Sequence, residues 1–145
     1  MIRATIALLV LAVPAHAGDA SGFDPATIDT CLQGAETQGA RADCAGTGME
    51  ACLGYAQQKY TGDDPDFPML NCLDASHQAW EAKLTGIYTE TLKRRPEAPL
   101  RAAERSWISF RDALCALSEG DKVAKARCIR DETARQAALL ISLED

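Results

Sequence analysis

The sequence predicts an all-α fold, a compact disulfide-linked helical bundle of four to five helices. Three observations carry this. Apolar residues recur at steps of three and four over long stretches, and no segment alternates apolar and polar residues as a half-buried strand would. Six cysteines, Cys31, Cys44, Cys52, Cys72, Cys115 and Cys128, form an even set that an oxidising compartment would pair.

Residues 1–17 have the three parts of a secretory signal peptide: Arg3 near the start, an apolar run at residues 4–13, and the small-x-small end Ala15-His16-Ala17. The run is shorter than the roughly 20 residues that cross a bilayer. No cysteine at the junction would take a lipid. A periplasmic or secreted protein without a membrane anchor is therefore expected. Residues 18–145 then form a single domain of 128 residues, enough for a modest core. Losing Arg3 with the leader leaves 14 basic against 21 acidic residues, a net charge of −7. That balance excludes nucleic acid as a natural partner and favours encounter with cationic proteins.

Asp24-Pro25 is a cap followed by proline at the first helical position, and Ile28, Cys31, Leu32 and Ala35 mark an apolar face that ends near Gly39. The run Thr47-Gly48-Met49-Glu50 has capping-box spacing and predicts a helix over 49–60. Residues 62–68 contain two prolines among turn formers and form the principal exposed loop. Its acids, Asp63, Asp64 and Asp66, lie on an unsupported turn rather than as the positioned pair that glycoside cleavage requires. A longer helix follows, with Leu73, Trp80, Leu84, Ile87, Tyr88 and Thr91 on one face. It stops at Lys93-Arg94-Arg95, cations suited to a negative helix end. After Pro99, Leu100, Ala103, Trp107, Phe110, Leu114 and Leu117 predict one buried stripe. Gly120-Asp121 turns the corner, and a last helix presents Ala126, Ile129, Thr133, Ala137 and Leu140 inward.

The gaps from Cys31 to Cys44 and from Cys115 to Cys128 are both twelve residues. Sequential pairing is therefore expected: Cys31–Cys44, Cys52–Cys72 and Cys115–Cys128, each worth about 3 kcal/mol through the unfolded chain. A zinc site is disfavoured because C-x-x-C spacing is absent.

No catalytic residue, cofactor or metal ligand is assigned. His77 is the only imidazole after the leader, with Asp74 and Glu81 along one edge of its helix. That trio offers a metal or acid–base site; the simpler reading is a half-buried histidine satisfied by Glu81 one turn later. Arg111 lies inside the apolar stripe, where a guanidinium requires acceptors. Glu50, Glu81 and Glu132 are the candidates. Asp112 projects away, free to cap, pair with a surface base or meet a partner.

The pattern Trp107-Ile-x-Phe-Arg-Asp-x-x-Cys115, followed by Cys128, Thr133 and Arg135, resembles the LprI-like family of small exported bacterial proteins. Cys52, Cys72, Trp80, Leu84 and Tyr88 look like that family's earlier cysteine-bearing segment and leucine-tyrosine helix, so the resemblance is best over residues 52–143. It implies an all-helical disulfide-linked domain with no cofactor and no catalytic residues, and the inhibition of lysozyme that gives the namesake its name. Two departures stand out. The namesake is lipid-anchored, and this chain adds a segment with Cys31 and Cys44 that shorter members lack. The resemblance carries over no contact residues, so the partner-binding surface is open. Lysozyme or another cationic cell-wall enzyme is the expected partner, met by the loop at 63–67 or the turn at 93–98. The alternatives are an envelope interaction or stress-related module with another partner, and a small-ligand or metal binder centred on His77.

Overall fold

The computed structural model describes residues 20–145; the expected leader at 1–17 lies outside them. The chain runs α1 (Ala26–Gln33), α2 (Gln38–Asp43), a 3-10 turn (Cys44–Gly46), α3 (Met49–Lys59), α4 (Phe67–Leu92), α5 (Glu97–Ala116) and α6 (Lys122–Ser142), with no strand among the described residues. Three disulfides join Cys31 to Cys44, Cys52 to Cys72 and Cys115 to Cys128.

Local chemistry sets the helix ends. At α1, Asp24 Oδ1 accepts the Ala26 amide at 3.0 Å. The helix stops at Gly34 rather than near Gly39, because Thr37 starts a new helix there. Thr37 Oγ1 accepts the Ala40 amide at 3.1 Å and caps α2. The helix expected over 49–60 forms as α3, yet the capping box does not. Gly48 holds the entry at φ 77° with no side-chain cap. A Cβ there would lie 2.6 Å from Thr27 Oγ1 and 3.0 Å from the Phe23 ring, so only glycine lets α3 begin against that ring. Pro68 sits in the first turn of α4, where its missing N–H costs nothing. Asp121 caps α6 by accepting the Ala124 amide at 2.8 Å.

The two long helices α4 and α6 form the central pair. The N-terminal segment and α5 pack on α6, and α3 packs on α4. Small residues at the contact, Ala134, Ala137 and Ala138, are fully buried and allow close approach. Leu73, Trp80, Leu84 and Thr91 bury the predicted face of α4, and Thr133, Ala137 and Leu140 that of α6. Trp80 is the largest fully buried side chain, and its Nε1 donates to the Ala45 carbonyl at 3.3 Å. Arg41 ties α2 to the end of α6, reaching Ser142 Oγ at 3.0 Å and Asp145 Oδ2 at 2.6 Å.

The stripe on α5 departs from expectation. Leu100 is buried and Trp107 and Leu114 are half-buried, but Ala103 is exposed, Phe110 is 56% exposed and Leu117 80%. The period is right and the orientation is not. The bridge to Cys128 fixes Cys115 inward, and at 100° per residue Phe110 and Leu117 then lie about 140° and 160° away from it. Trp107 and Arg111 turn inward; Phe110 turns out.

Candidate functional site

Helix α4 places His77 and Glu81 one turn apart, and α5 brings Arg111 to the same carboxylate. His77 Nε2 lies 3.1 Å from Glu81 Oε1, and Arg111 Nη1 donates to that oxygen at 2.9 Å. Of the three acids offered for Arg111, Glu81 is the partner. Glu50 is exposed, and Glu132 pairs with Arg135. Arg111 Nε also reaches Asp112 Oδ1 at 3.0 Å, and its guanidinium lies 5.0 Å from the centre of the Trp107 ring. Asp74 accepts from Gln78 instead of joining His77, so the trio His77, Asp74 and Glu81 does not assemble. No group of three or more His, Cys, Asp or Glu among the described residues is placed to hold a metal ion.

Beside this cluster α4 and α5 form an open groove of about 300 Å³ lined by Leu84, Tyr88 and Trp107 together with Glu81, Glu104 and Arg105. Burial pushes the Glu104 carboxyl above its usual range, and the Gln136 Nε2–H donated at 2.5 Å offsets part of that. A carboxyl that binds its proton more tightly folded than unfolded stabilises the fold in acid and loses that contribution as pH rises through the carboxylate range toward neutrality. Glu104→Gln is therefore expected to flatten this decline. Melting temperatures of wild type and variant across acidic to neutral pH check it, and parallel curves would refute it.

The two elements expected to meet a partner are both tied down. In the loop at 63–67, the Asp64 amide donates to the Tyr60 hydroxyl at 3.0 Å, and Phe67 stacks on Tyr60 with ring centroids 4.5 Å apart. Lys122 Nζ lies 3.0 Å from Asp64 and 3.7 Å from Asp66, and its hydrogen bond holds the Asp64 carboxyl below the usual range. The loop is thus supported, where the sequence suggests a free turn. In the turn at 93–98, Arg94 and Arg95 reach Glu144 at 3.0 and 3.4 Å, and Arg95 also donates to the Leu143 carbonyl. These cations serve the negative end of α6, and Lys93 pairs with Glu90.

Further along the motif, Thr133 is buried with its hydroxyl donating to the Ile129 carbonyl at 2.9 Å, while Arg135 stands at the surface. Sequence reasoning missed Arg130, which is 5% exposed and pairs through Nε with Asp131 at 2.6 Å. Its spacing from Thr133, Ala134 and Ala137 is the signal that places it on the inner face of α6.

The family model described as lysozyme inhibitor LprI matches residues 30–140. The chain belongs to the LprI family. No curated protein and no solved structure matches it. The match opens ahead of Cys31, which corrects one expectation: the segment with Cys31 and Cys44 lies inside the LprI region rather than being added to it. Its packing fits that place, since Ala45 in this segment accepts the Trp80 hydrogen bond. LprI is a family of inhibitors rather than enzymes, and the family's region here is all-helical and closed by disulfides. No helix among the described residues is long and apolar enough to cross a membrane.

Proposed function

We propose that this chain is an exported, non-enzymatic inhibitor that binds lysozyme. Residues 1–17 act as the signal peptide and residues 18–145 work as one domain in the periplasm or outside the cell. The observation that carries this is the match to the lysozyme inhibitor LprI family over residues 30–140. Three bridges in a small helical bundle support it, because a rigid inhibitor loses little conformational freedom on binding. The acidic balance supports it too, since lysozymes that are cationic are drawn to an acidic surface.

Of the two elements that offer themselves to a cleft, the loop at 63–67 fits better. It presents Phe67, 47% exposed, beside Asp63 and Asp64, on a scaffold already held by Tyr60 and Lys122. The turn at 93–98 has committed Arg94 and Arg95 to the end of α6. Titrating the purified protein into lysozyme turnover assays is expected to give saturable inhibition of at least one lysozyme type. Full turnover at micromolar excess across several types would overturn the proposal.

A further inference from the structure

Every charged residue of α5 lies on one side of the helix. At 100° per residue, Glu97, Arg101, Glu104, Arg105, Arg111 and Asp112 fall within a sector of about 120°. The opposite sector holds no charge over its whole length. Pro99, Ala103, Ser106, Phe110, Leu114 and Leu117 run down it, flanked by Ala102 and Ala113, and all but the half-buried Leu114 are exposed. A charge-free strip about 27 Å long stands out in a chain with 25% charged residues and a net charge of −6.

The strip is also graded by size. Its N-terminal half offers only Pro99, Ala102, Ala103 and Ser106; its C-terminal half offers Phe110, Leu114 and Leu117, with Ala113 the one small residue among them. We infer that this face pairs with the same face of a second copy, the two α5 helices antiparallel about a two-fold axis near residue 108. That operator sets Phe110 opposite Ser106 of the other copy, Leu114 opposite Ala102 and Leu117 opposite Pro99. Each large side chain then meets a small one, and each copy supplies both halves of the fit, as an isologous interface requires. A parallel arrangement would set large against large. Absence of charge lets two acidic copies meet where their mutual repulsion is least. A single helix-on-helix strip is smaller than the interfaces of permanent dimers, so the association is weak and concentration-dependent. It does not depend on lysozyme binding.

Sedimentation of the purified protein from low micromolar to sub-millimolar concentration is expected to show a monomer shifting to a dimer. Added salt should strengthen the dimer by screening like-charged copies, whereas it would weaken binding to a cationic protein. Phe110→Lys and Ser106→Glu, both at exposed positions, should each leave the protein folded by circular dichroism and monomeric throughout. Mixing those two variants should restore a heterodimer, because only the antiparallel register brings the new lysine and glutamate together. A wild type that stays monomeric at sub-millimolar concentration overturns the inference, and a strip covered by lysozyme instead is read from that result. Variants that still dimerise alone, or a mixture that fails to dimerise, overturn it equally.

Discussion

Replacing Trp80 by alanine is expected to remove about 4 kcal/mol of folding stability. The indole is fully buried where α4, α6 and the N-terminal segment meet, so its loss opens a cavity that three elements cannot close together. The same change strands the Ala45 carbonyl, which accepts the indole N–H. Trp80→Phe refills most of the volume and loses the hydrogen bond, so a smaller deficit, about 2 kcal/mol, is expected. Urea denaturation of both variants measures the difference. Equal losses would show that the hydrogen bond to Ala45, and with it the grip on the N-terminal segment, contributes the dominant part.

Removing the Cys52–Cys72 bridge by paired alanine substitution is expected to cost about 3 kcal/mol from the unfolded chain's regained freedom. A further loss comes from two voids, because both sulfurs lie in fully buried residues between α3 and α4. The other bridges close loops of similar entropy, yet Cys31 and Cys128 are only half-buried. The Cys52→Ala, Cys72→Ala protein should therefore be the least stable of the three bridge deletions in denaturant. If it ties with the other two, burial adds nothing to the value of this bridge.

Much of the fold was legible because it rests on local signals. Helical period located α3, α4, α5 and α6, and cysteine spacing gave a pairing that matches the three bridges seen. The short helix α2 was not legible, since six residues carry too little periodicity and its signal is the single Thr37 cap. The orientation of α5 is hidden from the sequence for a different reason. A helical wheel fixes which residues share a face but not which face turns inward; that depended on the long-range partners Cys128 and Glu81. Arg111 illustrates both halves: the wheel required an acid on a neighbouring helix, and only tertiary packing chose Glu81 over Glu50 and Glu132. The surface elements were the least legible. Whether Asp64 and Arg94 stand free or serve as struts depends on Lys122 and Glu144, each about fifty residues or more away in sequence.

Each of the three bridges joins a cysteine to the next one along the chain, and none encloses or crosses another. A polypeptide that enters an oxidising space N-terminus first thus presents its cysteines in the order in which they must couple. An oxidant that simply links each thiol to the next to arrive, Cys31 with Cys44, then Cys52 with Cys72, then Cys115 with Cys128, produces the native set without any later exchange between bridges. The covalent framework of this protein is one that translocation itself can write, in reading order.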